Sequence, residues 1–111
     1  MKFVIQPAAR EDILRQYRYY LFEKGSEETA ERFLVAVREA IQQVLRNPGI
    51  GSPKALDHPA LAGLRSASIR RFPAIRAYYL ASGNTLRVLR VLHGKRDIDS
   101  LLEEEPAQPD L

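Results

Sequence analysis

The residues best suited to chemistry lie in one short stretch, Arg90–Asp97, with the sequence RVLHGKRD. His93 is the strongest candidate for a general base, because an unperturbed imidazole titrates near neutral pH. Such a base would take the proton of a ribose 2′-hydroxyl in a ribonuclease, provided that cations held the phosphate. Alternatively, His93 hydrogen-bonds the turn at a strand end and takes no part in a reaction. The candidates for the phosphate clamp are Arg65, Arg76, Arg90, Lys95 and Arg96.

Basic residues are concentrated in the second half of the chain. The segment from His58 to Arg96 contains eight Lys or Arg residues and no acidic one, whereas 97–111 contains six acidic residues and no basic one. Clustered arginines favour contact with phosphates or an acidic partner, through a steering field and planar fork donors. The alternative is that they keep exposed strand edges in solvent. The residues predicted to contact a partner are Arg65, Arg76, Arg87, Arg90, His93, Lys95 and Arg96.

Length and composition exclude several classes of protein. The 111 residues, 45% hydrophobic and 28% charged, predict one folded domain over 1–105 and a disordered tail over 106–111. The absence of cysteine excludes disulfides and thiolate metal sites, and two histidines alone do not build a zinc centre. We therefore expect neither a metal nor a cofactor. The first residues form no signal-peptide core or membrane span, so no membrane contact and a cytoplasmic location are expected.

Two amphipathic helices are predicted in the first half of the chain. Glu11 and Asp12 are expected near the positive end of the first helix, where acidic side chains are favourable. A single glycine separates the helices, which predicts an antiparallel hairpin. Pro7 marks the start of the first helix and Gly25 its end. Ser26 is the predicted N-cap of the second helix, which ends at Asn47-Pro48-Gly49.

Four strands are predicted around this hairpin. The order of strands (β) and helices (α) along the chain is β-αα-βββ-α. This order predicts an α+β two-layer domain with the hairpin packed on one face of a four-stranded antiparallel sheet. The strands are 2–6, 64–72, 75–80 and 85–92, with a loop over 47–63, a break at Pro73 and a short last helix over 98–104.

The last strand is apolar on both of its alternating faces. Strict alternation places Leu86, Val88 and Leu92 on one face and Leu89 and Val91 on the other. A strand of this kind is typical of the centre of a sheet that is covered on both sides.

Three tyrosines lie close together on the first helix. Tyr17 and Tyr20 follow its apolar stripe, which predicts a place in the core or in the hairpin interface. Tyr19 is expected to point outward.

The Arg90–Asp97 segment, preceded by Tyr78-Tyr79-Leu80 and a Gly-Asn turn, resembles the carboxy-terminal signature of the ParE branch of the RelE/ParE toxin superfamily. The stop Asn47-Pro48-Gly49-Ile50-Gly51, the segment Leu64-Arg65-Ser66 and the order of elements are also similar to that family. The resemblance implies a toxin of a type II toxin-antitoxin pair. ParE-like members poison DNA gyrase and block replication, whereas RelE-like members cut mRNA in the ribosome.

The resemblance favours the gyrase branch. RelE-like nucleases are expected to carry a terminal catalytic Tyr or a His-Tyr pair, whereas here Gly94 follows His93 and no Tyr lies beyond Tyr79. We therefore expect a growth-arresting toxin that acts by binding and has no catalytic residues. The alternative is a metal-independent endoribonuclease with His93 as base and Arg90 and Arg65 as clamps. In both cases a cognate antitoxin with an acidic amphipathic segment is expected to form a hetero-oligomer with the chain.

Overall fold

Two helices pack on one face of a five-stranded sheet in the computed structural model of the chain, which describes residues 1–94. The predicted α+β class is confirmed. The elements, in chain order, are β1 (Lys2–Ile5), α1 (Pro7–Arg18), a π-helical turn (Tyr19–Glu23), α2 (Glu27–Arg46), β2 (Ser52–Pro53), a 3-10 turn (Pro59–Leu61), β3 (Arg65–Ile69), β4 (Phe72–Ser82) and β5 (Thr85–His93).

The sheet differs from the predicted one in the number and direction of its strands. Its order is β1-β5-β4-β3-β2, and β1 runs parallel to β5 whereas the other neighbours are antiparallel. The prediction of four antiparallel strands is therefore wrong on both points. β2 has only two residues and lies in a segment whose Pro and Gly content indicates a loop. The parallel pair joins distant parts of the chain, so no local pattern encodes it.

The helix hairpin forms where the sequence predicts it. α2 starts after Ser26, whose hydroxyl accepts the Thr29 N–H at 3.1 Å. Glu11 and Asp12 lie beyond the first turn of α1, so the prediction that they interact with the positive helix end is wrong. The first helix continues past α1 as the π-helical turn Tyr19–Glu23, which brings Tyr20 against Phe72 of β4.

The turn between β3 and β4 lies at Arg70 and Arg71, not at Pro73 as predicted. Arg71 supplies the positive φ of the turn, 71°. Phe72 of β4 pairs with Ile69 and Arg76 pairs with Ser68, so residues 73–75 of β4 form a bulge without partners in the β3 pairing. Proline is tolerated there because a bulge does not need the N–H that it lacks.

β5 is covered on both faces, as predicted, but a bulge changes which residues share a face. The register with β4 shifts by one residue at Leu89. Beyond it, Val91 packs with Val88 against the helices, and Leu92 packs on the opposite face. The predicted faces of Val91 and Leu92 are therefore exchanged, because side chains alternate with a period of two residues.

Apolar clusters lie on both faces of the sheet. The cluster between helices and sheet includes Ala9, Phe33, Ala36, Val37, Ala40, Ile41, Ile69, Ile75, Ala77, Val88 and Val91. The cluster on the other face includes Leu61, Leu64, Tyr78, Leu80, Leu89 and Leu92, with Leu56 packed against it. The loop between β2 and β3 thus covers part of the face that the helices leave open.

The predicted helix over 98–104 and the predicted tail over 106–111 lie outside the described residues. Within residues 1–94, every helix is too short or too polar to cross a lipid bilayer.

A buried ion pair fastens α1 to the edge of the sheet. β1 ends at Ile5, opposite Val88, and α1 takes its place along the next part of β5. Asp12 of α1 is 4% exposed and accepts the Val91 N–H at 3.0 Å. The same carboxylate accepts two bonds from Arg90, from Nε at 2.7 Å and from Nη2 at 2.9 Å. One acidic side chain therefore satisfies a backbone donor of β5 and neutralises the buried guanidinium beside it.

Arg90→Met should lower the free energy of unfolding by about 3–5 kcal/mol, because it leaves the buried Asp12 carboxylate without its bidentate counterion. Arg15→Met is the matched control. Arg15 contacts the same carboxylate at 3.4 Å from an exposed position, so its loss should cost less than about 1 kcal/mol. Urea denaturation of both variants measures the difference. Equal losses would contradict the role given to Arg90.

Candidate functional site

A buried tyrosine holds the loop between α2 and β3 against the sheet. The Tyr79 hydroxyl accepts the Gly51 N–H at 2.9 Å and donates to the Pro48 carbonyl at 2.7 Å. Residue 51 must be glycine, because a Cβ there would lie 2.5 Å from the Tyr79 hydroxyl oxygen and 2.8 Å from the Ser66 carbonyl oxygen. The start of this loop is therefore in a defined position over the sheet.

Arg65 and Arg76, both predicted to contact a partner, are half-buried and hydrogen-bonded within the fold. Arg65 Nη1 donates to the Gly51 carbonyl at 2.7 Å, which adds a second attachment for the loop. Arg76 donates to Ser66, from Nε to the hydroxyl at 2.9 Å and from Nη2 to the carbonyl at 3.1 Å. Because a guanidinium has five N–H donors, both arginines retain donors for a partner.

The remaining predicted contact residues differ in exposure. Arg90 is buried in its pair with the α1 carboxylate, which makes it part of the fold and not of an exposed contact surface. Arg87 is half-buried on β5 and His93 is exposed at the end of that strand. Lys95 and Arg96 lie outside the described residues.

His93 lines an open cleft between α1 and the start of β4, which we call the α1–β4 cleft. Its volume is about 550 Å³. At one end, the Gly94 N–H donates to the Ala74 carbonyl, so the turn after β5 is held by its backbone. The residues that line the cleft are Arg15, Gln16, Tyr19, Tyr20, Arg71, Phe72, Pro73, Ala74, Ile75 and His93.

Packed aromatic rings line the α1–β4 cleft and lie beneath it. The Tyr20 ring centroid lies 5.6 Å from that of Phe33 and 5.3 Å from that of Phe72, and those two phenylalanines are 5.3 Å apart. Tyr19 packs edge-on against Tyr20 at 5.6 Å. Burial raises the pKa of the Tyr20 phenol above its ordinary value of 10.0.

The predictions for the tyrosines of the first helix are confirmed. Tyr20 packs against the core, and the Tyr17 hydroxyl donates to Glu31 of α2 at 3.2 Å, across the hairpin. Tyr19 points outward and is 42% exposed.

The structure does not bring together the three residues of the nuclease alternative. His93 lines the α1–β4 cleft, whereas Arg65 and Arg90 are hydrogen-bonded elsewhere in the fold. Within residues 1–94, the cations that line the cleft beside His93 are Arg15 and Arg71, neither of which was a predicted site residue. The only local signal for Arg71 was a pair of arginines between two apolar strands. Arg15 had the pattern of an ordinary exposed helix residue.

A model of the family described as ParE toxin of type II toxin-antitoxin system, parDE, matches residues 3–98. The chain belongs to this family. The resemblance carried by Arg90–Asp97 and by the order of the elements is thereby confirmed. For the ParE-family chain, a search of curated proteins found no match.

Two solved structures are similar to this ParE-family chain, each over 84% of its length. One, described as the chromosomal ParDE TA system from P. aeruginosa, is 26% identical, has a TM-score of 0.60 and is covered over 95% of its chain. The other, a YoeB/ParE toxin from Agrobacterium tumefaciens, is 22% identical, has a TM-score of 0.53 and is covered over 98%. At that identity the second structure shows the fold alone.

Tyr79→Phe should destabilise this ParE-family chain by about 1–3 kcal/mol, because it removes the partner of both the Gly51 N–H and the Pro48 carbonyl. Tyr17→Phe removes one exposed hydrogen bond and is the matched control, with an expected cost below about 1 kcal/mol. Thermal unfolding measures both, and amide hydrogen exchange at Gly51 reports on the loop itself. A Gly51 amide that stays protected in Tyr79→Phe would contradict this attachment.

Proposed function

We propose that this chain is the toxin of a type II toxin-antitoxin system, that it arrests growth by binding and poisoning DNA gyrase, and that a cognate antitoxin neutralises it. The observation that carries the proposal is the ParE family match over residues 3–98. Its structural neighbour from P. aeruginosa is itself described as part of a ParDE system. A toxin with this target acts in the cytoplasm, where gyrase and DNA are found.

The arrangement of cations supports binding over catalysis. A nuclease that used His93 would need arginines held beside the scissile phosphate. Two of the predicted clamps have other partners: Arg90 is buried with Asp12, and Arg65 is bonded to Gly51. A protein that acts by occupying a surface of its target needs no such constellation, and in this proposal it needs no cofactor.

The proposed contact surface runs along β4 and β5, each of which carries a half-buried arginine. Arg76 lies opposite Leu92, near the end of β5 where His93 is exposed, and Arg87 lies opposite Leu80, towards the other end of that strand. Lys95 and Arg96 follow shortly after His93 in the sequence. Arginine is enriched among the residues that dominate binding energy, because it combines a charge, several donors and a long apolar stem.

The antitoxin is proposed to bind through an acidic amphipathic segment. Within 58–94, every charged side chain is basic, so this part of the chain attracts acidic peptides. A segment that folds on binding is able to cover a large surface of a small domain and to displace a target.

The purified chain should inhibit DNA supercoiling by purified gyrase, and Arg87→Glu should weaken that inhibition by about tenfold, because it reverses a charge on the proposed surface. Arg38→Glu on the exposed face of α2 carries the same change in net charge and serves as the control. Inhibition that is equally weakened by both variants would show that only net charge matters and would contradict this surface.

In cells without the antitoxin, expression should lower thymidine incorporation within minutes while methionine incorporation continues. His93→Gln should leave this effect intact, because glutamine keeps a hydrogen-bonding side chain at the contact surface and binding does not use the imidazole as a base. A prompt fall in methionine incorporation, abolished by His93→Gln at an unchanged melting temperature, would instead establish the endoribonuclease. The observation that favours this second candidate is the exposure of His93 in a cleft with Arg15 and Arg71.

A further inference from the structure

The sheet has one edge that is suited to pairing with another strand. Within residues 1–94, β1 is the last strand on its side of the sheet and pairs only with β5. The strand at the opposite end, β2, has two residues, and one of them is Pro53, which has no N–H to donate. A free strand edge with intact donors and acceptors pairs with a further strand unless the fold protects it.

The backbone of β1 directs alternate groups to its two edges. The N–H groups of Lys2 and Gln6 donate at 2.8 and 2.9 Å to carbonyls of β5 and of the turn before it. The N–H and C=O of one residue point to the same side of a strand, and those of the next residue point to the other side. Phe3 and Ile5 therefore direct their donors and acceptors to the free edge, with the spacing of a strand ladder.

The side chains beside this edge are apolar and only partly covered. Phe3 is 50% exposed, and Val4 and Ile5 are half-buried. Ile5 packs against the cluster between helices and sheet, and Phe3 lies on the same face because side chains alternate along a strand. Lys2 carries the only charged side chain in β1. The edge thus favours a partner that supplies both a strand and an apolar side chain.

A second copy of β1 supplies both. Two antiparallel copies related by a two-fold axis at Val4 place Phe3 of each copy opposite Ile5 of the other. The two residues of each such pair exchange both of their N–H···O bonds, and the Phe3 ring covers the half-buried Ile5. Val4 lies opposite itself on the other face. Lys2 lies opposite Gln6, so no like charges face each other across the strand pair.

Other registers of the same strand fit less well. A shift by one residue places the free groups of Phe3 opposite groups that already bond to the β5 side, so no ladder forms. A two-fold axis at Phe3 restores the ladder but places Lys2 opposite Val4, which leaves an ammonium group against an apolar side chain.

We propose that two copies of the chain associate through their β1 edges into a two-fold dimer with one continuous sheet. Association stops at two copies, because the pairing uses both free β1 edges and β2 does not continue it. The interface is one short strand pair, which is typical of weak and reversible association. The inference goes beyond the proposed function and does not depend on it.

The charges of the two copies oppose this dimer only weakly. Arg87 of β5 lies beside Val4, so the two Arg87 backbones are three strand spacings apart, roughly 14 Å. This distance exceeds the screening length of about 8 Å at physiological ionic strength. Because each copy has a net charge of +3, added salt should strengthen the dimer, whereas association through ion pairs would weaken.

Sedimentation equilibrium of the full, untagged chain tests the dimer. The unmodified chain should show a dimer that dissociates on dilution. Phe3→Glu should raise the dimer Kd by about tenfold or more, because it places a carboxylate against Ile5 of the other copy. Phe22→Glu is the matched control: it makes the same change at a ring that is 72% exposed on the π-helical turn, and it should leave the Kd unchanged. Melting temperatures confirm that both variants are folded.

Single cysteines test the register, since the chain has none of its own. In the proposed dimer the two Val4 Cα atoms are about 4.5 Å apart, within the range of about 4.4–6.8 Å that a disulfide spans. Val4→Cys should therefore form a covalent dimer in a glutathione redox buffer. Lys2→Cys is the control on the same strand and face, because its two copies are roughly 14 Å apart and should stay unlinked.

Hydrogen exchange tests the backbone bonds. Exchange of the Phe3 and Ile5 amides should slow as the concentration of the chain rises, whereas the Gln6 amide, which already donates to β5, should not change.

Several results would overturn the inference. A chain that stays monomeric at every concentration has no such dimer. If Phe3→Glu and Phe22→Glu have equal effects, or if Val4→Cys and Lys2→Cys cross-link equally, association uses a different surface or register. If the Phe3 amide is protected only after addition of the protein encoded beside this chain, the edge belongs to that partner and not to a second copy. None of these measurements uses gyrase, so they stand apart from the proposed function.

Discussion

The fold depends on one buried charge pair at the edge of its sheet. β1 pairs with β5 only as far as Val88, so the Val91 N–H, farther along that edge, needs another acceptor. Asp12 of α1 is that acceptor, and its carboxylate also accepts two N–H groups of Arg90. The pair sets the position of α1 along β5, and therefore the position of the aromatic residues that follow it. A buried ion pair adds little net stability compared with apolar packing, but it tolerates few alternative arrangements.

The second attachment is the Tyr79 hydroxyl, which holds the loop after α2 over the sheet. Gly51 approaches this hydroxyl so closely that no side chain fits there, and Arg65 fastens the Gly51 carbonyl. The loop is therefore ordered at its start although it contains little regular structure. These bonds also show that some of the predicted contact residues have a role inside the fold. Arg65 and Arg90 act mainly inside the fold, whereas Arg71 is available to a partner.

The proposed contact surface follows from this division of the arginines. The half-buried arginines of β4 and β5 are proposed to meet the target, whereas Arg65 and Arg90 hold the loop and α1 in place. Arg76 lies near the end of β5 that carries His93 and Arg87 lies towards the other end, so a partner that contacts both arginines must cover the length of the strand pair.

The helices and the twice-covered strand β5 were predictable, because their caps and apolar patterns depend on residues close in sequence. The family was predictable from short motifs. The parallel β1–β5 pair and the Asp12–Arg90 pair were not, because they join distant segments, 78 positions apart in the latter case. One extra residue at Leu89 exchanged the faces of Val91 and Leu92, which strict alternation had assigned the other way. The sequence by itself determined the helices, the α+β class and the family. Only the tertiary structure decided which arginines are bonded inside the fold and which stay exposed, since burial and pairing arise from contacts between segments that are far apart in the chain.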